Sequence, residues 1–300
     1  MEPDRYDIFI QIIQNGSLTK TAQKTGYTQS GISHMVAALE AELGVSLLHR
    51  NRAGVSLTPE GEALLPYIHS ITKSRSNLKE CVNQLHGLKS GTVRISTLQS
   101  ISTQVLPGAI ASFHRLYPGV RFELITGGHS TNIRNVVNGV TDFCFTCIQE
   151  DSSGPELSGC EIIPFTKEKM VVTIPYGHPL AGEPCFPVEA LRDERYILIV
   201  DGDSETRPIF SRHHINPDIL FYMGDAYSIM AMVEKGVGIS IIPEMSVYRN
   251  PYRIHAKELS MPAHRNISIL YRKQPLLSNA ARAFIDAVRS PSEGCFYSRG

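Results

Sequence analysis

The sequence predicts an α+β multidomain chain, with an N-terminal winged helix-turn-helix, a long linker helix and a C-terminal α/β half of two subdomains. Three observations lead to this prediction. Helix signals surround a glycine turn near the start, an apolar seam recurs along residues 59–86, and apolar strands alternate with helices from residue 92 onward. The 300 residues, 42% of them hydrophobic, are enough for two or three domains with buried cores.

Residues 17–36 predict a helix, a short turn and a second helix. Ser17 and Thr28 each suit the start of a helix, because a hydroxyl oxygen accepts a hydrogen bond from a free backbone N–H. Gly26 suits the left-handed conformation that commonly ends a helix. This is the pattern of a helix-turn-helix, whose second helix enters a DNA major groove. For this stretch alone, an ordinary helical hairpin with a solvated polar face is the alternative.

Apolar residues at three- and four-residue spacing predict which faces of these helices are buried. They form one stripe on a first helix that should end near Gly16, and an inner stripe opposite a polar face on the second helix of the motif. The predicted buried residues are Tyr6, Phe9, Ile10, Ile13, Leu18, Ala22, Ile32, Val36, Leu39 and Leu43.

Residues 43–61 predict a β-wing, with a short strand, a basic turn, a second strand and a new helix start. Basic side chains at its tip suit phosphates or the minor groove. The wing makes a plain helical hairpin a poor explanation. Gln, Ser and His side chains can bond base edges or phosphates, so the polar helix face and the wing tip form the predicted DNA interface. Its residues are Gln29, Ser30, Ser33, His34, Arg50 and Arg52.

The charge balance bears on how this interface works. The chain has 29 basic and 29 acidic residues and a formal net charge of zero. A protein that coats DNA without sequence preference would be basic overall. We therefore expect DNA binding to depend on the fit between the interface and the groove, and on two copies of the helix-turn-helix domain.

From Gly16 to Gly61 the chain strongly resembles the N-terminal domain of LysR-type transcriptional regulators. Four positions depart from the family pattern, since His34, Met35, Ala37 and Ala38 stand where such regulators often carry Arg, Lys or Gln. The departure concerns which bases and phosphates are contacted. The matching segments are Gly16-Ser17-Leu18, Ala22, Thr28-Gln29-Ser30, Ile32-Ser33, Leu39-Glu40, Leu43-Gly44-Val45, Leu47-Leu48, Arg50 and Leu57-Thr58-Pro59-Glu60-Gly61.

Residues 59–86 predict a long helix with a narrow apolar seam, which suits pairing with one other helix. Pro66 should bend or frame its first turns. The resemblance implies that this linker helix makes a dimer; docking on the chain's own effector domain is the alternative. The seam is Leu64, Ile68, Ile71, Leu78, Val82 and Leu85, with Lys73, Arg75, Lys79 and Glu80 outside it.

Strands and helices alternate at short spacing beyond the break at residues 87–91, which implies parallel α/β units. The resemblance, looser here, implies a periplasmic-binding-protein-like effector domain with a ligand cleft between two subdomains, and tetramers formed through these domains. The expected divisions are 1–58 for the winged helix-turn-helix, 59–89 for the linker helix and 90–300 for the effector domain. Within the last, subdomain 1 is about 90–161 and 266–300, and subdomain 2 about 162–265.

In open α/β sheets, ligands bind at the carboxyl ends of strands, where helix N-termini present free N–H groups. Polar residues follow several predicted strands, and each of them could equally be a cap or a turn. By resemblance, Ser100 and Ser102 match the position where family members hold the effector. The predicted effector-binding residues are Ser100, Ser102, Thr103, Thr126, His129, Gln149, Asp203 and Tyr227.

The expected effector is a small polar metabolite, with a carboxylate as its most plausible anionic group. Its anionic end should lie on Ser100, Ser102 and the amides that open the helix at Val105, because a helix start carries partial positive charge. No Arg lies in these loops, which suggests modest affinity. Asp201, Asp203 and Asp225 could face an amino group or could cap helices.

Several function classes lack support. Cys144 and Cys147 lie in an apolar run, which favours buried thiols over a zinc site that would need a second pair. We expect no metal and no cofactor. Motifs of hydrolases, P-loop proteins and zinc proteases are missing from the sequence, so we expect no enzyme. A solute-binding protein, the other alternative, would have no use for a wing.

The expected location is the cytoplasm. The six cysteines form no repeating framework, which fits a reducing compartment. No charged segment followed by an apolar one opens the sequence, and no apolar run reaches membrane-spanning length. The expected partners, from the DNA interface, the ligand cleft and the linker helix, are promoter DNA, a small-molecule effector and further copies of the chain.

Overall fold

The computed structural model describes residues 4–51, 54–85, 90–148, 157–200, 203–273 and 277–290. Its first part is a winged helix-turn-helix, as the sequence predicts, and is called the head below. The strands of the wing pair antiparallel. The head consists of α1 (Arg5–Asn15), α2 (Leu18–Thr25), α3 (Gln29–Leu43), β1 (Leu48–Asn51) and β2 (Gly54–Leu57).

The predicted caps define the helix boundaries in the head. Ser17 Oγ accepts a hydrogen bond from the Lys20 N–H, and Thr28 Oγ1 accepts one from the Gly31 N–H at 3.1 Å. Gly26 has φ +77°, a left-handed conformation that a residue with a Cβ rarely adopts. Local hydrogen bonding therefore sets where α2 ends and α3 begins.

The core of the head differs from the prediction mainly on α1. Its fully buried residues are Ile8, Phe9 and Ile12, so the predicted stripe is right at Phe9 and missed Ile8 and Ile12, while Tyr6, Ile10 and Ile13 pack against the edge of the core. The Tyr6 hydroxyl donates to Glu42 Oε1 at 3.0 Å, which keeps this ring at the rim of the core. The predicted core residues that are only half-buried are Tyr6, Ile10, Ile13, Leu18 and Leu43.

The linker helix α4 (Pro59–Leu85) begins where the wing ends. Thr58 Oγ1 donates to the Ser46 carbonyl at 2.7 Å and accepts from the Gly61 N–H at 2.9 Å. A Cβ on Gly61 would overlap the Leu47 carbonyl oxygen. The wing and the start of α4 are thus closely packed.

The predicted apolar seam of α4 divides between two faces. Ile68 is buried in the core of the head, and Leu64 packs against that core. Ile71, Leu78 and Val82 are exposed. The prediction of a single continuous seam is therefore wrong, because the apolar residues in the first turns of α4 pack into the core of the head. The side chain of Leu85 lies outside the described residues.

The charged residues of α4 join it to both of its neighbours. Arg75 pairs with Asp4 and Asp7, the two residues that form the capping box of α1. Lys73 pairs with Asp142, whose side chain is fully buried in the effector half. Lys73 and Arg75 thus lie in ion pairs, and α4 docks on the chain's own effector half, the alternative raised above, while another face stays exposed.

A close backbone approach strengthens this contact. Gly139 has φ +71°, and a Cβ there would lie 3.0 Å from the His69 Cβ. Burial, reinforced by the charge of Arg272, lowers the pKa of His69 to about 4. The imidazole is therefore neutral at pH 7 where α4 meets the effector half.

The effector half contains a six-stranded sheet in the order β4-β3-β5-β10-β6-β9 and a two-stranded sheet of β7 and β8. Its elements are β3 (Ser90–Thr97), α5 (Gln99–Gln104), α6 (Leu106–Leu116), β4 (Gly119–Thr126), α7 (His129–Val137), β5 (Phe143–Cys147), β6 (Cys160–Pro175), β7 (Arg195–Ile199), α8 (Asp203–Arg212), β8 (Asp218–Met223), α9 (Ala226–Glu234), β9 (Ser240–Pro243), α10 (Glu244–Val247), β10 (Ile254–Arg272) and α11 (Asn279–Arg289).

The expected parallel pairing is right only in part. β3 pairs parallel with β4 and β5, and β7 pairs parallel with β8. β10, however, pairs antiparallel with β5 and β6, and β6 pairs antiparallel with β9. β6 and β10 are also much longer than the apolar segments 169–174 and 266–271 that predict strands here, because the buried charged residues Glu168 and Arg265 interrupt their hydrophobic pattern.

Two separate cores flank the long strands β6 and β10. One surrounds Phe113, Phe143 and Phe284 and belongs to subdomain 1. The other surrounds Phe186 and Tyr196 and belongs to subdomain 2. Both cores include residues of β6 or β10, so these two strands connect the subdomains. Among the described helices, none combines the length and the apolar character needed to cross a bilayer.

Candidate functional site

The predicted DNA-binding residues that the structure describes lie on one side of the head. Gln29, Ser30 and His34 are exposed on α3, and Ser33 is half-buried. The Arg50 guanidinium on β1 reaches back to α3, where its Nη1 donates to Ser33 Oγ at 2.9 Å. The structure thus brings the wing and the recognition helix into contact.

Arg52, the sixth predicted DNA-binding residue, lies outside the described residues. Arg50 is exposed, as a phosphate contact requires. The Ser33 contact orients its guanidinium along the surface of α3. Arg50 is therefore positioned beside the helix that would enter the groove.

A cavity of about 250 Å³ lies between the subdomains, at the carboxyl ends of the strands where the sequence predicted a cleft. Three predicted effector-binding residues line it: Ser100 after β3, Thr126 at the end of β4 and His129 at the start of α7. The complete lining is Leu98, Gln99, Ser100, Thr126, Gly127, Gly128, His129, Ile199, Val200, Glu205, Gly224, Asp225, Ala226, Pro243, Ser246 and Arg265.

Three of the other predicted effector-binding residues, Ser102, Thr103 and Tyr227, do not line this cavity. Ser102 Oγ donates to the Gln99 carbonyl at 2.8 Å, and Thr103 Oγ1 donates to the same carbonyl at 3.1 Å, so both hydroxyls bond within α5. Tyr227 is exposed, and its ring lies 6.2 Å from that of Tyr252. Gln149 and the side chain of Asp203 lie outside the described residues.

Sequence reasoning missed the most highly charged part of the cavity. Arg265 lies in the middle of β10, and Glu205 lies in the first turn of α8. Glu205 follows a predicted strand closely enough to have been found by the strand-end rule. Arg265 left only a weak signal, an arginine inside a strand-forming segment.

Arg265 is buried and holds together residues from both subdomains. Its Nε donates to Glu168 Oε2 at 2.7 Å, and its Nη1 donates to Glu205 Oε1 at 3.0 Å. Its Nη2 donates to Ser100 Oγ at 2.6 Å. These residues and His129 are called the Arg265 cluster. The guanidinium is bonded along its whole edge, so few donors remain for a ligand.

The cluster fixes the ionisation of its members. Burial raises the pKa of Glu205, but the Arg265 charge and hydrogen bonds from His129 lower it by more, to about 2. Burial lowers the pKa of Arg265, and the two carboxylates raise it by more. Burial also raises the pKa of Glu168, against the opposing effect of Arg265. Glu205 and Arg265 are thus charged at pH 7.

The hydrogen bonds of His129 define its tautomer. The Cys147 N–H donates to His129 Nδ1 at 3.0 Å, so Nδ1 is unprotonated and Nε2 carries the proton. Nε2 therefore donates to Glu205 Oε1 at 2.8 Å. The neutral imidazole links the start of α7 in subdomain 1 to α8 in subdomain 2.

His129, Cys147 and Glu205 have side chains of the types that bind zinc, and their ligand atoms lie within 4.8 Å of one another. The hydrogen bonds do not fit that use. Both nitrogens of the imidazole are engaged, and Arg265 places a positive charge on Glu205. The arrangement supports a hydrogen-bonded anion rather than a bound cation.

The walls of the cavity differ in polarity. On the subdomain 1 side, α5 and α7 begin at Leu98 and Gly128, neither of which supplies a side-chain cap, so backbone N–H groups remain to donate. On the subdomain 2 side, Asp225 caps α9 by accepting from the Ser228 N–H at 2.8 Å. Donors on one wall thus face carboxylates on the other.

Comparison with known proteins identifies the family to which this chain belongs. Residues 86–291 match the family model of the LysR substrate binding domain, and residues 3–62 match that of the bacterial regulatory helix-turn-helix protein, lysR family. The chain is 28% identical over 299 residues to an uncharacterized HTH-type transcriptional regulator of Bacillus subtilis, YvbU, covering 94% of this chain and 96% of that one.

Solved structures show the same fold. Full-length OxyR from Pseudomonas aeruginosa is 19% identical and matches with a TM-score of 0.72, covering 95% of this chain and 93% of that one. The effector binding domain of QuiR in complex with shikimate is 21% identical with a TM-score of 0.61, covering 67% and 96%. The chain belongs to the LysR family and is a LysR-type transcriptional regulator with an effector-binding domain.

Proposed function

We propose that a small polar effector with a carboxylate binds in the cavity between the subdomains and controls promoter binding by the head. The observation that carries this proposal is the cavity itself, where Ser100, Thr126 and His129 meet carboxylates from subdomain 2. The anionic end would lie beside Ser100, where the N–H groups that open α5 and α7 and the Arg265 guanidinium supply donors. The expected position at the helix start at Val105 is dropped, because the Val105 N–H donates to the Ile101 carbonyl and Val105 does not line the cavity. An amino group, where the effector has one, would face Asp225.

The proposal has support from a structural neighbour. QuiR binds shikimate, a small hydroxylated carboxylic acid, in its effector binding domain. The hydroxyl and amide groups of this cavity suit a ligand of that kind. Ser102, Thr103 and Tyr227 have no part in the proposal, because their side chains lie away from the cavity walls.

Ser100→Ala and Thr126→Ala test the effector site. Metabolites that raise the Tm of the full-length chain are first identified, and their affinities are then measured by calorimetry. We expect each substitution to weaken binding about tenfold, the effect of losing one hydrogen bond of about 1.4 kcal/mol. Ser102→Ala and Thr103→Ala are matched controls and should leave the affinity unchanged. An effector that binds both variants as tightly as the wild type would place the site elsewhere.

We also propose that Gln29, Ser30, Ser33, His34, Arg50 and Arg52 contact DNA. The support is the shared exposure of four of them, Gln29, Ser30, His34 and Arg50, and the contact between Arg50 and the half-buried Ser33. Arg50 would bind a phosphate next to the groove that α3 enters, and the polar side chains of α3 would contact base edges.

Arg50→Ala should weaken binding to a DNA duplex selected by the wild-type chain by about tenfold. It should also reduce the slope of log affinity against log salt by about 1, since one phosphate contact is lost. His34→Ala should instead relax the base preference, by about 1–3 kcal/mol at one position. Fluorescence anisotropy at several salt concentrations measures both. Arg121→Ala, on exposed β4, is the control, and equal behaviour of Arg50→Ala and Arg121→Ala would contradict the assignment.

We further propose a dimer formed through α4, and a tetramer formed through the effector domains. The support for the dimer is the exposed apolar face of α4. The proposed divisions remain 1–58, 59–89 and 90–300, with subdomain 2 inserted between the two parts of subdomain 1. The protein would act in the cytoplasm, where promoter DNA is found, and by binding alone, without a catalytic step.

A further inference from the structure

The wall of the cavity already holds a carboxylate that belongs to the chain itself. Glu205 accepts hydrogen bonds from His129 of subdomain 1 and from Arg265 of β10. The Cys147 sulfur lies within 4.8 Å of a Glu205 carboxylate oxygen. Donors from two other elements, α7 and β10, therefore converge on one carboxylate in the cavity wall. Convergent donors, one of them a guanidinium, are how proteins bind oxyanions.

The charges of the Arg265 cluster leave no place for an additional carboxylate. Arg265 supplies one positive charge against Glu168 and Glu205, and His129 is neutral. A ligand carboxylate added to the cluster would place three carboxylates on one buried guanidinium, which is costly. A ligand carboxylate that replaces Glu205 leaves the buried charge unchanged. Exchange is therefore the favourable route.

Protonation does not free this position. The pKa of Glu205 is about 2, so its carboxylate stays charged at pH 7. The side chain must move for the donors to become available. The donors of Arg265 and His129 thus form an anion-binding position, which the Glu205 carboxylate occupies when no ligand is bound.

We propose that Glu205 is an internal competitor for the effector, occupying the position between Arg265 and His129 that the carboxylate of the effector takes. This inference rests on the proposed function, because it concerns the same cavity. Displacement of Glu205 removes the side-chain hydrogen bond between α8 of subdomain 2 and His129 of subdomain 1. Effector binding would then change the contacts between subdomains, the differential interaction that a ligand needs to shift a conformational equilibrium.

The test uses acetate and the full-length chain, without DNA or effector. Glu205→Ala removes the internal carboxylate and leaves space beside Arg265. We expect about 100 mM sodium acetate, compared with sodium chloride at the same concentration, to raise the Tm of Glu205→Ala by about 3 °C, as a Kd of about 10 mM would give. The Tm of the wild type should not change. Glu205→Gln is the matched control, because its side chain keeps the space filled and should block acetate.

The results for this proposal differ from those for the proposed effector site. The proposal is overturned if acetate does not raise the Tm of Glu205→Ala. It is also overturned if acetate raises the Tm of the wild type or of Glu205→Gln by the same amount. If Glu205→Ala does not fold, Glu205→Ser is measured in its place under the same criterion. Failure of the proposed effector site appears instead as unchanged effector affinity in Ser100→Ala and Thr126→Ala, whatever acetate does.

Discussion

Arg265→Met is expected to destabilise the chain by about 3–5 kcal/mol, which corresponds to a fall in Tm of roughly 10 °C. Methionine fills most of the space of the arginine but removes the charge that two buried carboxylates share. Glu168 and Glu205 are then left close together without a counter-ion. Ser100 also loses its hydrogen bond from Nη2. The loss reflects uncompensated buried charge more than lost packing.

The pH dependence gives a second measure of the same effect. In the wild type, the folded pKa of Glu205 is about 2, below its ordinary value of 4.5, so its contribution to stability is present above about pH 4.5 and is lost as the pH falls towards 2. In Arg265→Met, the unpaired carboxylates should instead have raised pKa values, and protonation should relieve the penalty. The difference in unfolding free energy between the two proteins should therefore shrink as the pH falls from 7 to 4.

Urea unfolding at several pH values measures both effects. Arg121→Met, on the exposed surface of β4, is the control and should cost less than about 0.5 kcal/mol. The triple variant with Arg265→Met, Glu168→Gln and Glu205→Gln should recover much of the loss, since the unpaired charges are gone. A small destabilisation that does not change with pH would show that the cluster is not a buried charge network.

The parts of the fold that could be predicted are those governed by neighbouring residues. Ser17, Gly26 and Thr28 act on backbone groups within four residues of themselves, so their effect on the head is local and visible in the sequence. The same is true of the polar face of α3. The exposed polar residues of α3 could therefore be predicted one by one, and their contact with DNA stays a prediction.

The effector cavity depends on distant residues, and the prediction was correspondingly less complete. Ser100 and Ser102 look alike in sequence, but only the Ser100 hydroxyl meets Arg265, 165 positions away, while Ser102 bonds back to its own helix. Which hydroxyl turns towards the cavity is decided by how β10 crosses between the subdomains. The antiparallel crossing of β6 and β10 left no signal that periodicity could detect.

The two faces of α4 show the same limit. Apolar spacing predicted a helix that pairs, but it could not separate residues that close the head, such as Ile68, from those left exposed, such as Leu78. Lys73 and Arg75 appeared to be ordinary surface charges. Their partners Asp142 and Asp7 lie far away in sequence, and the pairing becomes visible only in the fold.

The exposed apolar face of α4 leads to the second large expected effect. Tyr67, Ile71, Leu78 and Val82 are 68%, 48%, 66% and 43% exposed, and they follow one another at intervals of four, seven and four residues. That spacing places them on one side of the helix, as in a two-helix coiled coil. Large apolar side chains in such a row are typical of a helix that pairs with a partner.

Ile71→Asp combined with Leu78→Asp should therefore convert the protein to a monomer, because a second copy of α4 would bring four like charges together in an apolar contact. DNA affinity should fall by at least about 100-fold, since a single head contacts only one half-site. Light scattering gives the mass, and anisotropy with the selected duplex gives the affinity. Met261→Asp, at a residue 55% exposed on β10, is the control for adding an acid at an exposed apolar position. An unchanged mass in the double variant would mean that α4 does not form the dimer, and a monomer that still binds the duplex with wild-type affinity would mean that one head is sufficient.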